Sequence, residues 1–450
     1  MTDADVLVVG GGIAGLAAAL RLKDRGLRPL VLESEPRVGG RMTTDRVKGF
    51  AIDRGVTLLG NRFRRMRSLV KRLGIRPLVH PVRFSAGMQE ADALRVYRGR
   101  KPGDILFASH LSAKAKLAFL KVAWDLVRHS RSLVHGRSDR AGAIDSESAR
   151  VYMARMGEGG MELFDRIFQP GLDGPVGGSL AEVSRAILMQ TAWNLLVNGQ
   201  WNVRDGVDRI PEAISSQVPV RTRARALEVR VREGGVRVQA DFDGRPETLA
   251  ARSVLFAIPG HLVPALCPDL PDWMSEPLRR TRYSRMASAN VALDRPPSTQ
   301  VAGYALADGT RPGYEMELEH LRAEGRCPAG TGMVSVFMWD TPAFRPVDAD
   351  DSAIERRAVE AVGRAFPDVA GQARFVHVVR WPAGICQFPA GRLREMIALR
   401  SRLEEEPGPV DLCGDYLDGL ASEGALRTGE QAADRAARRL AGIAKETPAA

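Results

Sequence analysis

Hydrophobic and polar positions near the start of the chain predict a strand, a helix and a second strand. Residues 5–9 (DVLVV) form a short apolar run, which is typical of a buried strand. Residues 16–26 (LAAALRLKDRG) favour a helix, because small and straight-chain side chains lose little freedom there and a glycine ends the run. Residues 29–33 (PLVLE) are apolar again and end on an acid. The three segments have the order of a β-α-β unit.

Later segments repeat both kinds of pattern. Residues 220–231 alternate between apolar and polar side chains and lead into EGGVRV, which predicts a strand and a hairpin. Residues 251–259 form an apolar strand that a proline ends. The remaining periodic segments predict strands at 288–293, 333–339 and 374–381 and helices at 117–133 and 353–366. Because strands and helices alternate over a chain too long for one core, we predict an α/β fold with two domains.

The turn after the first strand carries glycines at three spaced positions. Gly10 permits a tight turn, Gly12 lets the backbone approach a pyrophosphate, and Gly15 lets the helix pack closely on the strand. The helix N-terminus offers unpaired N–H groups and a positive dipole to phosphates. Glu33 follows 18 residues after Gly15, where a carboxylate can accept hydrogen bonds from ribose hydroxyls. This unit predicts a dinucleotide cofactor and leaves NAD and FAD open.

Segments after this unit indicate FAD. Residues 33–41 (ESEPRVGGR) and 49–55 (GFAIDRG) resemble motifs of the flavin amine oxidase, protoporphyrinogen oxidase and phytoene desaturase superfamily. Residues 412–433 (LCGDYLDGLASEGALRTGEQAA) resemble its C-terminal flavin motif. Two positions depart from the family, since Asp205 stands where a glycine is usual and Ala226 where a valine is usual. The resemblance implies a discontinuous Rossmann-type FAD-binding domain and an α+β substrate-binding domain.

The resemblance also divides the chain. It implies an FAD-binding domain from 1–60, 205–265 and 396–445, a substrate-binding domain from 61–204 and 266–395, and a disordered tail at 446–450. FAD is expected to be bound without a covalent link. The residues that the resemblance assigns to FAD are Gly10, Gly12, Ile13, Ala14, Gly15, Glu33, Ser34, Gly40, Arg41, Gly55, Val56, Ala226, Trp381, Gly414, Asp415, Glu423, Gly424 and Ala425.

Within that set, three features have particular roles implied by the resemblance. Arg41 would support the diphosphate, and Asp415 would meet the ribityl or phosphate region. The helix that begins near Ser422 would point its N-terminus at the flavin, where a positive helix end stabilises the anionic reduced ring.

Five residues are candidates for the substrate side of the flavin: Ser288, Asn290, Cys386, Gln387 and Ala421. Amine oxidases of the family place a lysine near flavin N5, and the resemblance puts Ser288 at that position. They place an aromatic residue where this chain has Ala421, and a small side chain leaves room for a tetrapyrrole-like or polyene-like substrate. Cys386 stands where proline is usual, and we favour a small buried thiol over covalent attachment of FAD.

These features favour an FAD-dependent oxidoreductase that dehydrogenates a fairly large organic substrate by hydride transfer to flavin N5, as in protoporphyrinogen oxidases. The oxidised bond would be CH–NH or CH–CH, and the electron acceptor O2 or another carrier. A desaturase of isoprenoid or carotenoid type, an amine oxidase that releases H2O2 and a non-enzymatic escort protein on the same fold are the alternatives. The intact glycine turn argues against the escort protein, because a protein without FAD does not need it.

Composition and charge change this picture little. The formal charge is +11, but only 8 of the 65 basic residues are lysine and no basic run is interleaved with aromatics, so no nucleic-acid partner is expected. The four cysteines lack zinc-ligand spacing, so no metal is expected and the pattern fits a reducing bacterial cytoplasm. No run of 18 apolar residues occurs. The basic helix at 111–135 leaves two interpretations, a peripheral membrane contact and a solvated face, and the sequence favours the solvated face. Nothing in the sequence predicts an oligomeric state.

Overall fold

Two large sheets organise the chain in a computed structural model. The structure describes residues 2–82, 85–90, 93–98, 101–134, 138–197, 199–299, 301–306, 314–322 and 324–446. The disordered tail expected at 446–450 lies outside the described residues, except that Glu446 ends the last helix.

The strands and α-helices follow one another closely along the chain. The strands are β1 (Ala4–Val9), β2 (Pro29–Leu32), β3 (Thr44–Val47), β4 (Phe50–Asp53), β5 (Leu59–Gly60), β6 (Val79–Val82), β7 (Ser85–Glu90), β8 (Ala93–Arg98), β9 (Gln200–Val203), β10 (Val220–Arg221), β11 (Ala224–Arg232), β12 (Gly235–Phe242), β13 (Arg245–Phe256), β14 (Arg282–Tyr283), β15 (Met286–Leu293), β16 (Gly303–Leu306), β17 (Tyr314–Leu318), β18 (Gly332–Trp339), β19 (Ala373–Trp381), β20 (Cys386–Gln387) and β21 (Val410–Leu412). The helices are α1 (Ile13–Asp24), α2 (Arg64–Arg72), α3 (Gly103–Leu106), α4 (Ala113–His129), α5 (Ala149–Ala154), α6 (Gly157–Leu163), α7 (Gln169–Val176), α8 (Arg185–Val197), α9 (Arg209–Ser215), α10 (Val263–Leu266), α11 (Asp272–Arg279), α12 (Glu319–Arg322), α13 (Asp351–Ala365), α14 (Arg392–Glu405) and α15 (Ser422–Glu446).

The first sheet is the predicted Rossmann-type layer. Its strand order is β10-β2-β1-β13-β12-β11, and β21 pairs with β13. Strands β1, β2, β10, β13 and β21 run parallel, whereas β11 and β12 form an antiparallel extension. Helices α1 and α15 pack together so closely that a side chain at Gly429 would clash with the backbone of Ala14. The strands come from three separate parts of the chain, so the α/β class and the discontinuous sheet are confirmed.

The second sheet has two unlike faces. Its order is β19-β15-β18-β17-β16-β7-β8. Because side chains alternate along a strand, Ala287, Ala289 and Val291 of β15 lie on one face, where they join an apolar cluster with helix α13. Ser288 and Asn290 lie on the opposite face and are also buried.

The part of the chain from 61 to 204 contains strands as well as helices. Helices α2 to α8 lie there, but so do β6 and β9, which pair with each other, and β7 and β8, which extend the second sheet from β16. None of these four strands was predicted from the sequence. Strand β7 pairs with β16 from a distant part of the chain, and such long-range pairing overrides local propensity.

Candidate functional site

The glycine turn encloses an open cradle at the N-terminus of α1. Gly10 has a φ of +107°, and a Cβ there would stand 2.6 Å from the carbonyl oxygen of Ala257. A side chain at Gly15 would clash with the backbone of Gly10. A Cβ on Gly12, by contrast, would meet no heavy atom within 4 Å. The first-turn N–H groups of Ile13–Gly15 lack intrahelical acceptors, so the open space above Gly12 fits a phosphate-bearing cofactor.

Glu33 lies beside this cradle at the end of β2. Its carboxylate accepts hydrogen bonds from the backbone N–H groups of Gly11 (2.7 Å) and Glu35 (2.8 Å) and from the hydroxyl of Ser34 (3.4 Å). Burial raises the pKa of Glu33, and the two backbone hydrogen bonds oppose that rise. The Glu33 carbonyl accepts from Ala224 at the start of β11, which brings the edge strand carrying Ala226 to this side of the cradle.

The segments around residues 40 and 55 continue the cradle away from α1. Gly40 approaches the Cα of Gly12, where a Cβ on Gly40 would stand 3.5 Å away. The N–H of Val56 donates to the carbonyl of Arg41 at 2.8 Å, and a Cβ on Gly55 would stand 2.7 Å from the same oxygen. The three segments that were predicted to bind FAD, around residues 12, 40 and 55, therefore lie next to one another in this order.

Arg41 connects these three segments to the C-terminal motif. Its guanidinium donates to the carboxylate of Asp415 (2.7 Å) and to the carbonyl of Gly384 (2.7 Å), and it lies over the ring of Tyr283. Burial disfavours the charge on Arg41, but the Asp415 carboxylate outweighs it and raises the pKa of the guanidinium. Gly414 is held by Thr428, whose hydroxyl accepts from the N–H of Gly414 at 3.0 Å.

Helix α15 begins at Ser422, as the sequence predicts, and Gly424 and Ala425 lie in its first turn. The side chain of Glu423 contacts helix α2. Its carboxylate accepts from the backbone N–H groups of Arg65 (2.8 Å) and Met66 (3.0 Å), so it caps the N-terminus of α2. The sequence alone assigned Glu423 to the cofactor and offered no sign of this distant capping contact.

Two of the substrate-side candidates lie together on the polar face of the second sheet. Asn290 donates to the carbonyl of His377 (3.0 Å) and to the hydroxyl of Ser288 (3.4 Å). Ser335 of β18 donates to Asn290 at 2.7 Å, and its hydroxyl also lies 2.7 Å from a carboxylate oxygen of Glu319. No lysine stands on this face among the described residues of the sheet.

The other candidates lie around this sheet, and the cofactor candidate Trp381 ends its strand β19. Trp381 donates its indole N–H to the carbonyl of Arg54 at 2.8 Å, next to Gly55. Cys386 is buried, and burial raises the pKa of its thiol far above the ordinary value. Gln387 donates to the carbonyl of Val176 at 2.9 Å, which joins β20 to α7. Ala421 is half-buried just before α15.

A group of acidic residues also lies on this face, and the sequence did not predict it. Across strands β17, β18 and β15, Glu315 is paired with Phe337, which is paired with Ser288. In the same way, Glu317 is paired with Ser335, which is paired with Asn290. Arg322 forms ion pairs with Glu317 and Glu319 and donates to the carbonyl of Thr57 at 2.8 Å. The alternation of acids with Met316 and Leu318 was the available signal, because it is typical of a strand with one polar face.

Asp53 anchors the segment that leads to Gly55. Its carboxylate accepts from Arg326 (2.6 Å), from the hydroxyl of Thr44 (2.7 Å) and from the backbone N–H of Val207 (3.1 Å). The side chains of Asp53 and Arg326 are fully buried. This ion pair holds the turn near residue 55 on the side of the molecule where the second sheet lies.

Other kinds of site are not seen in the part of the chain that the structure describes. No group of three or more His, Cys, Asp or Glu residues there could hold a metal ion. No described helix is both long enough and apolar enough to cross a membrane.

An open glycine cradle, an acid at the end of the second strand and a C-terminal helix packed on α1 are together typical of a flavin-dependent oxidoreductase. The sequence profile described as "Flavin containing amine oxidoreductase" matches residues 13–437. The chain belongs to this family and is a flavin-dependent oxidoreductase.

Individual relatives span nearly the whole chain. The carotenoid phi-ring synthase of Streptomyces griseus is 25% identical over 444 residues, which cover 92% of this chain and 83% of the synthase. A protein from Exiguobacterium with a provisional assignment as protoporphyrinogen oxidase has a similar structure, with a TM-score of 0.76, 18% identity and coverage of 98% of this chain and 100% of that one. Cyclohexylamine oxidase from Brevibacterium oxydans gives a TM-score of 0.73 at 18% identity, with coverage of 98% and 100%. The two structural likenesses establish the fold.

Proposed function

We propose that the protein is an FAD-dependent dehydrogenase of a fairly large organic substrate, similar to protoporphyrinogen oxidases. The observation that carries the proposal is the polar face of the second sheet. Ser288 and Asn290 stand there with hydroxyl and amide groups hydrogen-bonded to one another, and a half-buried alanine, Ala421, precedes α15. When bound, the flavin supplies the acceptor for a hydride from a substrate C–H bond.

The choice of FAD rests on the second half of the cradle. Glu33 offers a carboxylate where a ribose lies in dinucleotide sites, and the edge strand with Ala226 begins beside it. Arg41 would hold the diphosphate, with its guanidinium fixed by Asp415. The buried Cys386 thiol has a raised pKa, and the thiolate is the nucleophilic form, so we expect noncovalent binding.

We expect the protein's own side chains to position the substrate and to exclude water from it. Arg322 is neutralised by Glu317 and Glu319, so it does not offer a free cation to the substrate. Glu315 is half-buried, and burial together with the charge of Glu317 raises its pKa well above the ordinary value. A protonated Glu315 can donate a hydrogen bond to a neutral polar substrate atom.

A second candidate is a desaturase of carotenoid type. The observation that favours it is the match to the carotenoid phi-ring synthase, which extends over 92% of this chain. An elongated polyene has no charged group, so it needs no free cation on this face.

The test is anaerobic mixing of the purified flavoprotein with three substrate classes: a porphyrinogen, a polyene precursor and a set of primary amines. We expect the porphyrinogen or the polyene to bleach the visible flavin band, and the amines to leave it unchanged. Reduction by a simple amine, followed by H2O2 release when O2 is admitted, would contradict the proposal and favour an amine oxidase. A preparation that binds no flavin would favour the escort protein.

A further inference from the structure

Helix α4 is apolar on two opposite faces. Ala115, Ala118, Phe119, Val122 and Leu126 are buried against the helices beneath. A second apolar set on the same helix points away from the protein. Its members are Leu117 (55% exposed), Leu120 (50%), Trp124 (68%) and Val127 (62%). The spacing of three, four and three residues places this set in one stripe along the helix.

This stripe stands out from the rest of the described surface. Phe107 follows the short helix α3, which packs on α4, and is another apolar side chain that is 87% exposed. Trp124 is also unusual, because the other five tryptophans are buried or half-buried. Single exposed apolar side chains need no explanation, but a contiguous patch indicates an interaction surface.

Cations flank the stripe. Lys114, Lys121 and Arg128 are exposed and recur about two turns apart, so they form a line beside it. Lys116 lies on the other flank and is half-buried. Four of the chain's eight lysines fall between residues 101 and 121. Since nearly all other basic residues are arginine, this concentration of lysine is not explained by overall composition.

The acids near these cations already have partners, and Glu162 accepts hydrogen bonds from the backbone N–H and the hydroxyl of Ser112 at the start of α4. Glu158 pairs with Lys114 at 2.7 Å, whereas Asp125 is engaged by Arg185 at 2.8 Å. Within the described residues, Lys121 and Arg128 form no ion pair. The surface around the stripe is therefore both apolar and net positive.

We propose that α4 and Phe107 form a membrane-contact surface that lies on an anionic phospholipid bilayer. An exposed apolar stripe with a tryptophan, flanked by lysines, fits the boundary between lipid headgroups and acyl chains. The helix has 17 residues, about 25 Å, so it lies along the surface and does not cross it. The cations distinguish this partner from a second copy of the chain, because two such faces would repel each other.

The test is sedimentation of the flavin-loaded protein with lipid vesicles at low ionic strength. Two vesicle compositions are compared, pure phosphatidylcholine and phosphatidylcholine with about a third phosphatidylglycerol. We expect strong binding to the anionic vesicles, weak binding to the neutral ones and a loss of binding as salt is raised. A blue shift of tryptophan fluorescence on binding should disappear in Trp124→Phe, which keeps the apolar character.

Two pairs of variants separate the apolar and charged contributions. Leu117→Gln/Leu120→Gln should lower the partition coefficient at least about tenfold, because two half-exposed leucines lose their burial in lipid. Lys121→Gln/Arg128→Gln should lower it roughly fivefold per cation on anionic vesicles and leave neutral vesicles unaffected. The matched controls are Leu227→Gln/Leu262→Gln and Arg237→Gln/Arg245→Gln, which change exposed residues elsewhere and should bind like the wild type.

Three outcomes would overturn the proposal. The first is equal sedimentation with and without vesicles, and the second is equal binding by the helix variants and their controls. The third is a dimer in solution, measured by light scattering without lipid, that Leu117→Gln/Leu120→Gln converts to a monomer. That result would assign the stripe to contact between two copies. All variants lie on the surface, so circular dichroism and flavin content should match the wild type.

Discussion

The buried pair between Asp53 and Arg326 offers the sharpest test of how the cradle is held. Substitution Arg326→Met removes the guanidinium and keeps most of the side-chain volume. The carboxylate of Asp53 then stays in a fully buried position with only Thr44, Asn202 and a backbone N–H as partners. Removing one member of a buried pair leaves an uncompensated charge, which costs about 3–5 kcal/mol.

That cost translates into a modest shift of the melting temperature. At ~2.1 cal/mol/K per residue, unfolding 450 residues as one unit has an entropy of about 0.9 kcal/mol/K. The Tm of Arg326→Met should therefore fall by roughly 3–5 °C. The double variant Asp53→Asn/Arg326→Met should recover much of the loss, because no buried charge remains. Arg72→Met, which breaks a partly exposed pair with Asp24, should cost less than about 1 kcal/mol.

The pH dependence supplies an independent check. Burial alone would raise the pKa of Asp53, but Arg326 outweighs it and holds the pKa below the ordinary value. A carboxyl with a lowered pKa stabilises the fold above its unfolded pKa, so this contribution is intact in the wild type from neutral pH to about pH 5. In Arg326→Met the remaining burial raises the pKa, and the penalty should shrink as the pH falls from 7 to 5. A variant with wild-type Tm, or a penalty independent of pH, would refute the reasoning.

Two further substitutions test the cofactor cradle. Gly12→Val should fold normally, because Gly12 has extended backbone (φ −72°, ψ 177°) and open space above it, yet yield a colourless protein. Gly442→Val, an exposed glycine with equal space, is the control, and stoichiometric flavin in Gly12→Val would mean the site is misplaced. Glu423→Ala should lose about 1 kcal/mol through the missing cap on α2 and retain its flavin. Loss of flavin at unchanged stability would assign Glu423 to the cofactor instead.

Local chemistry made the first sheet predictable. The glycine spacing, the acid at position 33 and the start of α15 all depend on residues close together in the chain, so their patterns appear in the sequence directly. The antiparallel hairpin of β11 and β12 and the strands β15, β18 and β19 follow from alternation and from apolar runs. The boundaries shift by a few residues, as in α4, which was predicted at 117–133 and spans Ala113–His129.

The contacts that complete the site join distant parts of the chain. Arg326 lies 273 residues from Asp53, and Glu423 lies 358 residues from Arg65. No periodicity connects such pairs, so a sequence shows each residue without its partner. The apolar side chains of α4 illustrate a related limit, because the pattern shows two apolar sets and only the packing shows which one is left uncovered.

Glu315 bears on the choice of substrate, because it is an acid on the polar face of the second sheet, where the described residues include no lysine. The neighbouring charges are satisfied internally, since Arg322 pairs with Glu317 and Glu319. Glu315 is left beside Gly174 of α7, where any larger residue would collide with its carboxyl group. Burial and the Glu317 carboxylate keep its pKa raised, so the uncharged acid is the form that this face stabilises. A cationic amine would have to bring Glu315 into its ionised form, whereas the uncharged pyrrole rings of a porphyrinogen, or a polyene, leave the proton in place.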